Sequence, residues 1–253
     1  MRSGIIYQQL FKLKQEGKSA FAVLLDPDKI TRSDMPRLAH VCNEAGVDYV
    51  LMGGSLIIDQ ETDACIRLFK DESSIPVILF PGSPAQVSPF ADALLYLSLI
   101  SGRNPDLLIG QHVVSAPVVK ASGLEIIPTG YMIIDGGVPT TVSYMSHSAP
   151  IPANKPDIAL CTAWAGEMQG KKVIYMDAGS GAENPISEEM IQRVSSQIEV
   201  PLFIGGGIRT PEKVYANCKA GANVVVVGNA VENNLTYIKE LAAAIKEACR
   251  VAT

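Results

Sequence analysis

The sequence predicts a single domain, residues 1–253, folded as a modified (β/α)8 TIM barrel. Its 253 residues suit one such barrel. Short apolar runs alternate with helix-like segments about eight times, which indicates a closed barrel or a doubly wound sheet. A dinucleotide-binding sheet would carry its glycine-rich turn after the first strand, where this chain has Leu-Leu-Asp-Pro-Asp-Lys. The glycine-rich stretches follow the last two runs instead, which favours the barrel.

Eight runs are predicted to be the strands. Most are apolar at every position rather than at alternate positions, as is typical of parallel strands covered on both faces. The runs are Ala20–Leu25, Tyr49–Met52, Pro76–Leu79, Leu94–Leu97, Tyr131–Ile134, Val173–Met176, Leu202–Ile204 and Val224–Val227.

Helical patterns lie between most of these runs. Residues 1–18 interleave Lys with apolar residues, which predicts an amphipathic helix rather than a signal peptide. Pro211 at a first turn marks one helix start. The remaining helical patterns are Ser33–Ala45, Asp59–Phe69, Pro105–Lys120, Ile186–Gln197, Pro211–Lys219 and Leu235–Cys249.

Two stretches break the alternation. Phe80–Leu95 has no clear helical pattern. Asp135–Lys155 is rich in Pro, Ser, Thr and Gly and is too long for an idle connection in a compact domain. We expect the second stretch either to cover one mouth of the barrel or to make subunit contacts.

Composition limits the classes of function. The net charge of −5 and the lack of a long Lys or Arg run argue against a nucleic-acid partner, so a phosphorylated substrate must be held by local groups. The five cysteines have no metal-ligand spacing and indicate a reducing cytoplasm. No apolar run is long enough to span a membrane, although the surface is still free to touch one.

The two late glycine stretches predict a phosphate site. Gly206 and Gly207 follow the seventh predicted strand, and Gly228 with Asn229 ends the eighth. Glycine lets backbone amides approach an anion, and barrels commonly bind phosphate in the loops after these two strands. Tight turns without a ligand are the alternative for either loop alone.

A third motif ends the sixth predicted strand. It consists of Tyr175, Met176, Asp177, Ala178, Gly179, Ser180 and Gly181. The two-residue period of a strand places Tyr175 and Asp177 on one face, which we expect to be a solvent-filled barrel mouth. The carboxylate is suited to accept a proton from a substrate hydroxyl. The alternative is a loop-capping Asp177 beside a core Tyr175.

A metal site is predicted from the first two strands. Asp26 ends the first strand, and Ser55 follows Gly53-Gly54 after the second. One carboxylate and one hydroxyl make a poor metal cage alone, but they suit Mg²⁺, which takes further ligands from water and substrate phosphates. Asp28 is equally well explained as a turn or helix-capping residue.

The motifs LLDPDK, LMGGS, IPTGYMI, YMDAGSGA, FIGGGI and VVVVGNAV occur in this order over nearly the whole chain. Together they resemble the geranylgeranylglyceryl phosphate synthase family, which is related to heptaprenylglyceryl phosphate synthase. GGGI and VGNAV would each be shared with many phosphate-binding barrels, whereas the combination with LLDPDK and YMDAGSG is specific. The resemblance implies a barrel in which irregular chain replaces one helix, expected at Phe80–Leu95.

The resemblance also implies a reaction. A prenyltransferase would join the 3-hydroxyl of sn-glycerol 1-phosphate to geranylgeranyl diphosphate and release pyrophosphate. By this resemblance Asp26 and Ser55 bind Mg²⁺. For such a reaction, Asp177 is the candidate that would orient the hydroxyl and accept its proton, with Tyr175 as a supporting hydrogen-bonding group. The matching glycerol phosphate positions are Tyr175–Gly181, Gly206–Gly207 and Gly228–Asn229. The family also forms homo-oligomers.

Two positions distinguish the branches of this family. The bacterial heptaprenyl relatives resemble K-L-D-P at the first motif, where this chain has Leu24, and carry Glu where it has Asp177. Both differences favour the geranylgeranyl branch. A phosphate-binding isomerase or lyase and a non-catalytic binder of phosphorylated lipids stand as the alternatives.

Overall fold

The computed structural model of the protein describes residues 4–58, 61–229 and 237–250. Eight parallel strands form one closed barrel, in which each strand pairs with the next and the last returns to the first. The strands are β1 (Ala20–Leu25), β2 (Tyr49–Met52), β3 (Val77–Leu79), β4 (Ala93–Leu99), β5 (Glu125–Ile133), β6 (Val173–Asp177), β7 (Leu202–Gly205) and β8 (Val224–Val227). The predicted barrel is therefore confirmed.

The predicted strands agree with these bounds where the apolar run is continuous, as in β1, β2 and β8. The prediction for β5 was wrong at its start, because the strand begins at Glu125 instead of Tyr131. Glu125 and Thr129 are polar yet buried, and each satisfies its polar atoms within the fold. Because strands were predicted from runs of apolar residues, these two polar residues caused the first part of the strand to be missed.

Alternate residues of each strand face the inside of the barrel or the surrounding helices. In β6, Tyr175 belongs to the interior cluster, whereas Ile174 and Met176 belong to the outer core between strands and helices. Large side chains fill the interior, as is usual for an eight-stranded barrel. The functional mouth is therefore limited to the strand ends.

Helices surround the barrel. They are α1 (Ile5–Glu16), α2 (Met35–Ala45), α3 (Thr62–Glu72), α4 (Gln111–Ser122), α5 (Thr141–Met145), α6 (Pro156–Met168), α7 (Glu188–Ser195), α8 (Pro211–Lys219) and α9 (Tyr237–Arg250). The predicted starts Asp59 and Leu235 lie outside the described residues. Within the described ranges, no helix combines the length and apolar character needed to cross a membrane.

Helix α1 closes the amino end of the barrel. Its Ile6 and Leu10 pack into the interior cluster. The Glu125 carboxylate, at the start of β5, accepts hydrogen bonds from the backbone N–H groups of Ile6 at 2.9 Å and Tyr7 at 2.7 Å. Because the N–H groups of a first helical turn have no partner within the helix, this buried carboxylate serves as the cap of α1.

The connection between β3 and β4 is irregular, as predicted. Residues 80–92 contain a single 3₁₀ turn, Pro84–Gln86, and no α-helix. Side chains of α3 hold this segment, since the Arg67 guanidinium lies 3.7 Å from the centre of the Phe90 ring and the Lys70 ammonium donates to Asp92 at 2.6 Å. Irregular chain thus takes the place of the expected helix on that flank of the barrel.

The long stretch from residue 135 to 155 carries the short helix α5. Thr140 caps it by accepting a hydrogen bond from the Ser143 backbone. Val142 and Met145 of α5 line the cavity described below. The stretch therefore covers part of the barrel mouth, which was one of its two predicted roles.

Candidate active site at the carboxyl ends of the strands

The structure brings the predicted site residues to one end of the barrel. Asp26 follows β1, Ser55 lies after β2, Asp177 ends β6, Gly206 follows β7 and Gly228 follows β8. Because the strands are all parallel, their carboxyl ends surround one mouth, where barrel enzymes carry their catalytic groups.

Asp177 is more enclosed than the sequence predicted. Only 7% of its surface is exposed, so the prediction that Asp177 lies in a solvent-filled mouth was wrong. Its Oδ2 accepts a hydrogen bond from the Tyr131 hydroxyl at 2.6 Å, and its Oδ1 accepts one from the Gly179 N–H at 2.7 Å. Burial raises the pKa of Asp177, while these two hydrogen bonds oppose that rise. The arrangement suits a carboxylate that must take up a proton.

Tyr175 lies deeper in the barrel, on the same face of β6 as predicted. It is 1% exposed, and its ring stacks on Phe80 with the centroids 5.0 Å apart. Met176 and Ala178 pack into the outer core, with 0% and 1% of their surfaces exposed. A substrate contact from either of the latter two positions would therefore have to involve the backbone.

The loops after β6 and β8 meet across the mouth. The Ser180 hydroxyl donates to Oδ1 of Asn229 at 2.9 Å, which joins residues far apart in the chain. The N–H of Gly179 is already engaged by Asp177, and that of Ala178 donates to the Gly205 carbonyl. Within the described chain, this leaves the N–H groups of Ser180 and Gly181 as the backbone donors of this loop.

The loop after β7 packs directly on the loop after β6. Gly206 has a φ of 81°, and a Cβ there would lie 2.5 Å from the Gly179 nitrogen and 2.7 Å from Oδ1 of Asp177. Close packing of the two loops thus requires glycine at 206, whether or not an anion is bound. At Gly228 the nearest atoms to a Cβ belong to Leu24, at an ordinary 3.5 Å. Among the described residues, nothing therefore clashes with a Cβ at 228.

Asp26 and Ser55 lie in adjacent loops. A Cβ on Gly54, the residue before Ser55, would stand 3.3 Å from the Asp26 carboxylate atoms. The side-chain amide of Gln86 donates to the Gly54 carbonyl at 3.1 Å and so braces this loop. Gln86 was missed from the sequence, where nothing in the irregular segment distinguishes it.

Neighbours of Asp26 complete this part of the mouth. The Lys29 ammonium lies 3.5 Å from Oδ2 of Asp26, and the Asp28 N–H donates to Oδ1 at 3.2 Å. Asp28 in turn accepts a hydrogen bond from the Ile58 backbone at 2.6 Å, which ties the loop after β1 to the loop after β2. Among the described residues, no cluster of three or more His, Cys, Asp or Glu could hold a metal. A cation here would need ligands from a substrate.

An apolar cavity of about 270 Å³ opens beside Ser55. It passes Phe80 and Tyr131 and reaches Val119 on α4. The irregular β3–β4 connection forms one wall of the cavity, with Pro84 and Val87 among its lining residues. The aromatic side chains of Phe80, Tyr96 and Tyr131 all line it.

Comparison with known proteins supports the resemblance carried by the motifs. The PcrB family matches residues 13–248. A geranylgeranylglyceryl phosphate synthase from Chitinophaga pinensis is 60% identical over 97% of this chain and 98% of its own length. One from Spirosoma linguale is 51% identical over 92% of this chain and 94% of its own length.

Solved structures agree with the sequence relatives. The (S)-3-O-geranylgeranylglyceryl phosphate synthase of Thermoplasma acidophilum, solved with its substrate sn-glycerol-1-phosphate, superposes with a TM-score of 0.89 and 31% identity. The match covers 96% of this chain and 98% of that protein. The chain therefore belongs to the PcrB family, and its resemblance to the geranylgeranylglyceryl phosphate synthases is confirmed.

Proposed function

We propose that the protein is a prenyltransferase that joins sn-glycerol 1-phosphate to geranylgeranyl diphosphate. One observation carries the proposal: a polar region built by the loops after β6, β7 and β8 meets an apolar cavity at the Tyr131–Asp177 hydrogen bond. A small phosphorylated alcohol and a long hydrocarbon tail need these two environments side by side. The relatives described above support the same reaction.

The polar region is proposed to hold glycerol 1-phosphate. Gly206, Gly207, Gly228 and Asn229 would present backbone groups to the phosphate, as barrels commonly do after their last two strands. The N–H groups of Ser180 and Gly181 would add donors from the neighbouring loop. Backbone donors of this kind hold an anion in a protein of net charge −5 without a basic patch.

The diphosphate end is proposed to lie at Asp26 and Ser55. One carboxylate and one hydroxyl fit Mg²⁺ that takes its remaining ligands from the diphosphate and water, and they do not fit a metal held by protein alone. When bound there, the ion would neutralise charge on the leaving diphosphate. Ser55 also lines the apolar cavity, so the diphosphate would lie where the tail enters.

The prenyl tail is proposed to occupy the apolar cavity. Each methylene moved out of water contributes about 0.8 kcal/mol before the costs of binding. Phe80, Tyr96 and Val119 would contact the tail. Burial of the tail would position the reactive allylic carbon at the mouth, beside Asp177.

The reaction exchanges one carbon–oxygen bond for another and transfers one proton. The glycerol 3-oxygen bonds to carbon 1 of the prenyl group, whose bond to the diphosphate oxygen breaks, and pyrophosphate departs with that electron pair. Asp177 would orient the hydroxyl and accept its proton, which its raised pKa favours. Tyr175 lies deeper in the barrel and would help to hold the Tyr131 ring in place. Holding the two substrates close together in the correct relative orientation is itself a large source of rate enhancement.

The surface supports two further proposals about partners and location. Helix α4 exposes Val113, Val114 and Val118, and α6 exposes Ile158 and Met168. Exposed apolar side chains of this kind support self-association or peripheral contact with a lipid surface. The location we propose is the cytoplasm, in keeping with the cysteine pattern. Sedimentation of the protein with and without lipid vesicles distinguishes these two interactions.

Product analysis tests the proposed function. The protein is incubated with glycerol 1-phosphate and farnesyl, geranylgeranyl or heptaprenyl diphosphate, with Mg²⁺ or excess chelator, and the products are analysed by mass spectrometry. We expect the ether product, formed fastest from the geranylgeranyl donor and lost with chelator. Binding of glycerol 1-phosphate without product would indicate a non-catalytic binder. Absence of both would favour an isomerase or lyase.

A further inference from the structure

Tyr131 lies where the polar region of the proposed site meets the apolar cavity. It lies on β5, opposite Tyr175 of β6, and is 5% exposed. Its hydroxyl donates to Oδ2 of Asp177 at 2.6 Å, which is short for such a hydrogen bond and typical of an ionised acceptor. The Gly179 N–H holds the other carboxylate oxygen, so the carboxylate is anchored at both ends.

The ring of Tyr131 is held from two sides. It meets Phe80 edge to face with centroids 5.7 Å apart, and it meets Tyr175 edge to face at 5.5 Å. Phe80 and Tyr131 also line the apolar cavity. The same side chain therefore forms the wall of the cavity and the hydrogen bond to Asp177.

We propose that Tyr131 is a positioning residue that holds the Asp177 carboxylate in its working orientation while its ring bounds the tail cavity. This inference rests on the proposed function, because it assigns Tyr131 a part in the reaction that Asp177 performs. A carboxylate with one anchor can rotate about its bond to Cβ, whereas two anchors fix it. Fixed orientation is what a group that receives a proton requires.

The hydroxyl acts as a donor. Burial and the neighbouring Asp177 raise the pKa of Tyr131 well above its ordinary value, so the phenol keeps its proton. The groups that face Asp177 are Tyr131 from β5 and Tyr175 from β6, while β7 presents Gly205 and Gly206. Removal of the Tyr131 hydroxyl takes away an interaction that lowers the pKa of Asp177, so that pKa should rise.

The test compares Tyr131→Phe with Tyr49→Phe. Both changes remove one hydroxyl from a buried barrel tyrosine and keep the ring, but Tyr49 lies at the start of β2, at the opposite end of the barrel. For Tyr131→Phe we expect kcat to fall roughly 10- to 100-fold, the range of a charge-assisted hydrogen bond. KM for the prenyl donor should stay within about 2-fold because the ring remains. The acid limb of the rate profile should move to higher pH.

The double variant Tyr131→Phe/Asp177→Asn separates positioning from a general structural effect. If Tyr131 acts through Asp177, the double variant should lose no more kcat than Asp177→Asn alone. Fully additive losses, or a Tyr131→Phe enzyme with unchanged kcat and pH profile, would overturn the inference. Thermal melts of each variant check that the fold is kept, and Tyr49→Phe should match the wild type in kcat and pH profile.

The wild-type assay distinguishes failure of the proposed function from failure of the proposed role of Tyr131. If the unaltered protein forms no ether product, the proposed function fails and the role of Tyr131 fails with it. If the unaltered protein turns over and Tyr131→Phe matches it, only the role of Tyr131 is overturned.

Discussion

A Cβ atom on Gly206 would stand 2.5 Å from the backbone nitrogen of Gly179, well inside the contact distance of two such atoms. The loops after β6 and β7 are therefore packed backbone to backbone. Since the Gly179 N–H also holds Asp177, the position of Gly206 bears on the proposed base as well as on the proposed phosphate site.

Gly206→Ala should weaken glycerol 1-phosphate binding more than prenyl diphosphate binding, because it forces the loop after β6 to move. Gly17→Ala is the matched control, since Gly17 has a φ of 61° and open space where its Cβ would lie. Both substitutions place an alanine in a left-handed backbone conformation, which costs roughly 1–2 kcal/mol. The Gly206→Ala protein should be the less stable of the two variants, and only this variant should bind glycerol 1-phosphate more weakly. Calorimetric titration and thermal melts measure the two effects. Equal losses for both ligands would contradict a local phosphate site.

Asp177→Asn should lower kcat by roughly 10²-fold or more, within the range of general-base catalysis. The amide keeps an acceptor for the Gly179 N–H but has little basicity. Asp177→Glu should retain more activity than Asn, since a carboxylate remains. Steady-state kinetics of both variants measure the effect. Near-normal turnover of the Asn variant would leave Asp177 with a loop-capping role.

The same substitution has a predicted effect on stability. Burial raises the pKa of Asp177 in the folded protein, so the folded state favours the neutral form and pays a penalty for the ionised form above that pKa. At neutral pH Asp177→Asn should therefore melt no lower than the wild type. The difference should shrink as the pH falls through the pKa and the wild-type carboxyl becomes protonated. The wild-type rate should fall over the same interval. A variant that melts lower at neutral pH would contradict the sign.

Asp26→Asn should nearly abolish turnover and leave glycerol 1-phosphate binding intact. Asp26 belongs to the loops after β1 and β2, whereas the proposed phosphate site belongs to the loops after β6, β7 and β8. Asp28→Asn is the matched control, because it keeps an acceptor for the Ile58 N–H and should lose less activity. Kinetics with Mg²⁺ and with chelator measure the effect. Normal turnover of Asp26→Asn in both conditions would exclude the metal role.

Glu125→Gln should lower the free energy of unfolding by about 1–3 kcal/mol, the cost of a buried group left with a mismatched partner. The carboxylate accepts two N–H groups of α1, and an amide would turn a donor towards one of them. The kinetic constants should not change, because Glu125 lies at the amino end of the barrel. Urea denaturation and steady-state kinetics measure both outcomes. A change in KM would show that the closed bottom of the barrel influences the mouth.

Local sequence determined the strands apart from the start of β5, most of the helices, and the end of the barrel at which the motifs lie. Continuous apolar runs such as Val224–Val227 have few alternatives to a strand covered on both faces. Once the strands are parallel, chain direction alone places Asp26, Ser55 and Asp177 at the same mouth. The motifs then carried the family resemblance, which the relatives confirm.

Only the tertiary structure decided what each site residue touches. Tyr131 and Asp177 are 46 residues apart, and their hydrogen bond depends on the pairing of β5 with β6. The start of β5 at Glu125 depends on the docking of α1, which satisfies a carboxylate that would otherwise be costly to bury. The enclosure of Asp177 and the packing of Gly206 arise in the same way. The local sequence pattern indicates which residues can be buried. Contacts between residues far apart in the chain decide which hydrogen-bond partner makes the burial of a polar residue stable.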